Sequence, residues 1–260
     1  MARVRRPSSA GSHYLSPARP RVLAHRGLAV DAPENTLLAF AHAIGAGAEY
    51  VETDIQASLD GVAVVCHDQD LKRVAGRDIR VEQLTLAELR RIDLGEGQSF
   101  CSLAEALDAF PETRFNIDLK AIGAVAPAAK AIRDLGALDR VLVTSFSEAR
   151  RQAGVALLPG VASSASASRF LAALLSARSG ARLATARALR GLVAVQVPER
   201  AAGIRVTTPR IIERLHDAGV EVHIWTVNDP IRMRELLDLG VDGIVTDRAD
   251  LALEVVRSRS

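Results

Sequence analysis

Aromatic side chains are scarce in this chain: one Trp, two Tyr and six Phe among 260 residues, 3% in all. Proteins that grip single-stranded nucleic acid stack bases on such rings, so a nucleic-acid platform is not expected. Cysteine is scarcer still, at Cys66 and Cys101 only. Two thiols in apolar surroundings make no disulfide framework at this size and fit a reducing, cytoplasmic compartment. No run of eighteen apolar residues occurs, which argues against stable membrane insertion. The stretch before Val22 has arginines but no apolar run, so it does not read as a secretory signal. Charge of one sign is absent too: 33 Lys and Arg face 31 Asp and Glu, a net +2. The local excess, Arg3, Arg5, Arg6, Arg19 and Arg21, is spread among Ser, Pro and Gly. It reads as a flexible basic tail over residues 1–20, too dilute for a dense lipid or nucleic-acid patch. A contact peripheral to the membrane stays open.

Hydrophobic residues are abundant, at 48%, and are mostly Ala, Leu and Val. The length suffices for one large core, so a single domain over 21–260 is expected. Short apolar runs alternate with helical patterns. Strands are expected at Arg21–Arg26, Tyr50–Ser58, Val62–Cys66, Arg114–Lys120, Arg140–Phe146, Val155–Val161, Leu192–Val197, Val220–Val227 and Val241–Thr246. Thr36 or Asn35 caps a helix ended by Gly45 and Gly47, Ser102 and Glu105 stand at capping-box spacing, and Pro209 suits a helix's first turn. Asp70–Gly97 is a charged connection with one short helix near Leu86–Arg91, capped by Thr85. Strands of four to seven residues alternating with helices predict an α/β fold, a (β/α)8 TIM barrel with a short insertion after the second barrel strand region. The doubly wound sheet is the runner-up. Its glycine fingerprint after the first strand is missing, and His25-Arg26-Gly27 stands there instead.

In such a barrel the C-terminal strand ends build the site. Here they carry His25-Arg26, Glu52 and Asp54, His67-Asp68, Asp118 and Lys120, Thr144-Ser145, Gln196, Trp225 with Asn228, and Thr246-Asp247. Alternation puts Glu52 and Asp54 on one face, and Asn116, Asp118 and Lys120 on another. Three converging carboxylates would repel and raise their own pKa values unless a cation joined them. A hard divalent ion, Mg2+ or Ca2+, suits an all-oxygen set. Lys120 and Arg26 then offer fixed positive charge to an anion, and His25 and His67 offer proton transfer. A phosphate ester needs this combination. Other histidines read more plainly. His42 and His216 fall in helices as surface or packing residues. His223 shares a face with Trp225 inside a strand and ranks below His25 and His67. Cys66 points away from His67, toward the core.

The sequence also resembles the glycerophosphodiester phosphodiesterase family. The resemblance rests on AHRG at 24–27, PENT at 33–36, ETD at 52–54, DG at 60–61, HD at 67–68, NIDLK at 116–120, WTVND at 225–229 and GVDGIVTD at 240–247. These occur in the family's order and cover about residues 21–250. The resemblance implies a (β/α)8 barrel with a metal-dependent site. His25 and His67 would be the acid/base pair, and Arg26 would bind phosphate with help from Lys120. Glu52, Asp54 and Asp118 would hold one Mg2+ or Ca2+, Glu34 would support the site, and Trp225 would line the pocket. The implied reaction cleaves a glycerophosphodiester to sn-glycerol 3-phosphate and an alcohol, through a cyclic glycerol phosphate. The same site on lysophospholipids would be a lysophospholipase D, and a silent phosphodiester-binding protein is the third reading. One position departs from the family pattern: Asp118 stands where Glu is usual, so metal distance or preference differs. Oligomeric state, monomer or dimer, stays open.

Overall fold

The computed structural model describes residues 13–259. Among the described residues there are thirteen strands, in chain order: β1 (Arg21–His25), β2 (Tyr50–Ala57), β3 (Ala63–Val65), β4 (Asp70–Leu71), β5 (Arg77–Arg80), β6 (Arg114–Leu119), β7 (Val141–Thr144), β8 (Ala162–Ser163), β9 (Ala194–Val197), β10 (Arg200–Ala201), β11 (Ile204–Arg205), β12 (Glu221–Ile224) and β13 (Gly243–Thr246). Eight of them follow one parallel path, β8-β7-β6-β2-β1-β13-β12-β9. The ring closes where Ser164 bridges Ala194, with Val193 N donating to Ser163 O (3.0 Å) and Ala165 N to Ala194 O (3.1 Å). This is the (β/α)8 barrel expected from the alternating pattern.

The caps that the sequence suggested hold the helices in place. Thr36 accepts from Ala39 N to open helix Leu37–Ala46, which Gly47 ends in the left-handed region at φ 106°. Ser102 and Glu105 form a reciprocal box at helix Leu103–Ala109. Thr208 and Asp229 cap helices that begin with Pro209 and Pro230. The helices between barrel strands pack on the outside of the barrel, where Phe40, Phe115, Leu107 and Ile132 are fully buried.

Three stretches differ from expectation. Val155–Val161 is not a strand, because helix Glu148–Leu157 runs through its first three residues and a turn takes up the rest. Ser147 caps that helix and Glu148 pairs with Arg151 one turn on. Gly154 then lets it close on the sheet, since a Cβ there would lie 2.9 Å from Leu119 Cδ1. The barrel strand follows later, as β8. Second, residues 13–20, assigned to the tail, pack beneath the barrel. Tyr14 is fully buried and meets Tyr50 edge-on at 5.3 Å. Residues 1–12 of the expected tail lie outside the described residues. Third, the connection after β3 holds more than one short helix. Hairpin β4–β5 and helix Lys72–Ala75 precede helix Leu86–Leu89, whose Thr85 cap is present. Val64, Cys66, Leu71, Val81, Leu89 and Phe100 give this insertion its own small core. Among the described residues no helix is long and apolar enough to cross a membrane.

Candidate active site

The site begins where β1 ends. After His25 the chain turns through Arg26 (φ 58°) and Gly27 (φ 87°). Gly27 is required here: a Cβ would lie 2.6 Å from the Ala39 carbonyl carbon. A non-glycine residue in the left-handed region costs about 1–3 kcal/mol and is kept when its surroundings fix it. Arg26 is fixed by its own amide, which donates to the main-chain oxygen of Glu52 (2.9 Å) and to Glu52 Oε2 (3.2 Å). Asn35, also left-handed at φ 55°, donates its amide to Arg26 O. Its side-chain Nδ2 donates to Asp54 Oδ2 at 3.1 Å. The guanidinium of Arg26 reaches Glu34 Oε1 (2.9 Å) and lies 3.2 Å from Asp54 Oδ2.

Strand register sets the rest. His25 stands beside Glu52 and Glu52 beside Asn116. One step nearer the mouth, Asp54 stands beside Asp118 and Asp118 beside Thr144. Lys120 Nζ bridges the acidic pair, 2.9 Å from Asp54 Oδ1 and 2.7 Å from Asp118 Oδ2. His25, Arg26, Glu52, Asp54, His67, Asp118, Lys120 and Trp225 therefore border one cleft of about 490 Å³. Glu34 stands behind Arg26 rather than in that cleft.

Each histidine is backed by a carboxylate. Asp247 Oδ1 is 2.6 Å from His25 Nδ1, and Asp68 Oδ1 is 2.6 Å from His67 Nδ1. Such a contact fixes Nδ1 as the proton-bearing nitrogen and leaves Nε2 for exchange. The sequence had assigned no role to Asp247 or Asp68. Both stand at strand ends, but their histidine contacts cannot be read from spacing, and Asp247 lies 222 residues from His25.

The carboxylates are not in electrostatic balance. Burial, then Asp54, pushes Glu52 up to about 8. Burial pushes Asp54 the same way, but Lys120, His67 and Arg26 outweigh it and hold its carboxyl low. At Asp118 burial prevails over Lys120 and the value is raised. Burial opposes the charged form of His25, yet Asp247 and Glu52 overcome it and raise its pKa. Asp118 Oδ1 and Asn116 Oδ1 are buried without a hydrogen-bond partner. Orphaned acceptors and a surplus of negative charge fit a hard, oxygen-seeking cation in chemistry. Among the described residues, no group of three or more His, Cys, Asp or Glu side chains is arranged as a ready-made metal cage. The opposite wall is apolar. Phe146 and Trp225 meet edge-on at 6.0 Å, and Phe170, Leu171 and Pro198 continue the surface.

Comparison with known proteins bears on this geometry. The model of the glycerophosphoryl diester phosphodiesterase family matches residues 25–251. The chain is 43% identical over 239 residues to a Mycobacterium tuberculosis protein named probable glycerophosphodiester phosphodiesterase 2, covering 91% of this chain and 90% of that one. It is 36% identical over 113 residues to lysophospholipase D GDPD1 of Mus musculus, covering 38% and 36%. The crystal structure of an Agrobacterium tumefaciens glycerophosphodiester phosphodiesterase superposes with a TM-score of 0.75 at 27% identity, over 91% of this chain and 99% of that one. A matched barrel, and a profile running from His25 past Asp247, establish that this chain belongs to the glycerophosphoryl diester phosphodiesterase family.

Proposed function

We propose that the cleft hydrolyses glycerophosphodiesters with His25 and His67 as its acid/base pair. One observation carries the reading: two histidines, each backed by a carboxylate, border the same cleft as Arg26 and Lys120. In the first step a glycerol hydroxyl attacks phosphorus. One imidazole Nε2 takes the hydroxyl proton, while the other histidine gives a proton to the departing alcohol oxygen. Each partner carboxylate stabilises the imidazolium that forms. The cyclic phosphate is then opened by water with the two roles exchanged. Arg26 and Lys120 neutralise phosphoryl oxygens. The products are sn-glycerol 3-phosphate and an alcohol.

Charge at the mouth supports a divalent ion, Mg2+ or Ca2+, held by Glu52, Asp54 and Asp118. These three carboxylates share two fixed cations, Lys120 and Arg26, and Arg26 also serves Glu34, while His25 Nε2 stands 3.9 Å from Glu52 Oε2. An anionic substrate would meet net repulsion there. The ion would offset that charge and polarise the phosphoryl oxygen. The shorter Asp118 keeps a hard oxygen donor at the position where Glu is usual, and its buried Oδ1 is free to serve.

His25→Ala and His67→Ala should each remove most turnover of glycerophosphocholine while the melting temperature holds. Normal turnover in either variant would sink its acid/base role. EDTA should abolish turnover and Mg2+ or Ca2+ restore it. A metal-insensitive enzyme would remove the ligand assignment.

The apolar wall favours lysophospholipids as a second substrate class. Phe146 is 57% exposed and Leu171 40% exposed, ready to cover an acyl chain. Relative turnover of glycerophosphocholine and lysophosphatidylcholine under one set of conditions decides between them. Buried, unpaired Cys66 and Cys101 support a reducing, cytoplasmic setting.

A further inference from the structure

Behind the two working arms of the cleft lies a contact that the mechanism above does not use. Arg73 belongs to the short helix Lys72–Ala75 of the insertion. Its Nε donates to Asp68 Oδ2 and its Nη2 to Glu34 Oε1, both at 2.6 Å. Asp68 holds His67 through its other oxygen. Glu34 Oε1 accepts from Arg26 as well. One guanidinium therefore spans the two carboxylates that orient an acid/base histidine and the phosphate-binding arginine. We infer that Arg73 is a positioning residue: it sets His67 through Asp68 and Arg26 through Glu34, so that both arms address one phosphoryl group. The inference rests on the roles proposed for His67 and Arg26.

The chemistry requires an arginine. A planar fork with separate N–H donors satisfies two carboxylates at fixed separation, whereas an ammonium is a single point of charge. Without it Glu34 and Asp68 are like charges with a shared gap, each held from one side alone, Glu34 by Arg26 and Asp68 by His67. Among the described residues Asp68 pairs with no other Lys or Arg. Loss of Arg73 therefore loosens the imidazole through Asp68. Glu34 would fall back on Arg26 alone, tying up positive charge meant for substrate.

A purely structural role fits less well. The Arg73 side chain is 50% exposed, and exposed ion pairs add little to stability. It borders a second cleft of about 200 Å³ together with Glu34, Asn35 and His67. Its removal would thus leave a water-filled slot open to small solutes.

The test compares Arg73→Ala, Arg73→Lys and His67→Ala on glycerophosphocholine, with melting temperatures measured alongside. Arg73→Ala should lower kcat about 10- to 100-fold, as losing an outer-shell partner does. KM should rise several-fold through Arg26, and the melting temperature should move by no more than about 3 °C. Guanidinium ion at sub-denaturing concentration should restore much of the lost kcat in Arg73→Ala and none in His67→Ala. Arg73→Lys should recover only part, because it cannot fork to both carboxylates. If Arg73→Ala stays within about twofold of wild type while His67→Ala is inactive, the inference is overturned. A loss that tracks unfolding and resists guanidinium overturns it too. Normal turnover in His67→Ala would instead overturn the acid/base reading.

Discussion

Strand β1 starts at one end of the barrel with Arg21 and finishes at the other with His25. At the floor, Arg21 is 3% exposed and every donor group is spoken for. Nε and Nη2 go to Glu221, Nη1 to Tyr50 Oη and Pro17 O, and Nη2 also to Leu15 O. Nearby, Asp242 takes His216, Arg19 and the amide of Val222. Burial alone would raise these acids, yet Arg21 and His223 bring Glu221 down to about 2, and His216 and Val222 do the same for Asp242. At the mouth, Glu52 is more deeply buried, lacks such partners and is pushed up to about 8, and Asp118 and Asn116 keep orphaned oxygens. Tyr14 Oη and Arg114 Nε are orphaned at the floor too, so the contrast lies in the carboxylates: complete pairing of Glu221 and Asp242 marks charge used for stability. Incomplete pairing marks charge reserved for something that arrives from solution.

Substitutions along that strand test the contrast. His25→Ala, the largest effect expected, should lower kcat about 10²–10⁴-fold with an unchanged melting transition. Arg21→Met should do the reverse. Breaking a buried pair costs roughly 3–5 kcal/mol, read in urea unfolding, while turnover per folded molecule stays level. A floor variant that lost kcat without losing stability would break the division between the two ends.

Acidity gives the next effect, with divalent ions chelated. Glu52 is raised in the fold to about 8, so its contribution is fully present at low pH and is lost as pH rises through about 8. Glu221 is lowered to about 2, so its contribution is present above the ordinary glutamate range and is lost as pH falls toward about 2. Glu52→Gln should therefore stabilise the chelated protein at alkaline pH by a few kcal/mol, while Glu221→Gln should destabilise it at neutral pH. Urea midpoints across pH measure both, and opposite signs sharpen the comparison. The smallest effect belongs to Tyr50→Phe. It removes the hydroxyl that accepts from Arg21 and donates to Tyr14 O, a loss of about 1–2 kcal/mol. An unchanged stability there would mean that water replaces that hydroxyl.

Much of this arrangement could be read in the chain. Alternation along ETD and NIDLK put Glu52 with Asp54 and Asp118 with Lys120 before any coordinate, because a strand's period of two is rigid. Caps such as Ser102-Glu105 were legible because their partners are three residues apart. Val155–Val161 misled because a short apolar run is compatible with strand and helix alike; the Ser147 cap and the fit of Gly154 against Leu119 and Val143 decided it. Asp247 and Arg73 were illegible for a different reason. Their work lies wholly in contacts across the fold, from Asp247 to His25 and from Arg73 to Glu34, and no local period encodes those.

Barrel closure itself is uneven. β2 and β6 share six register pairs from Tyr50 to Ile55, whereas β8 has two residues and meets β9 by way of the Ser164–Ala194 bridge. Few backbone bonds cross that seam, so it is the part of the ring that opens at least cost, and its amides should exchange with solvent ahead of those in β2. The chain leaving the seam, Ala165 to Leu171, carries Phe170 and Leu171 of the cleft's apolar wall. Opening at the seam would therefore shift Phe170 and Leu171, while His25, Glu52, Asp54 and Asp118 stand on the β1, β2 and β6 pairings away from it.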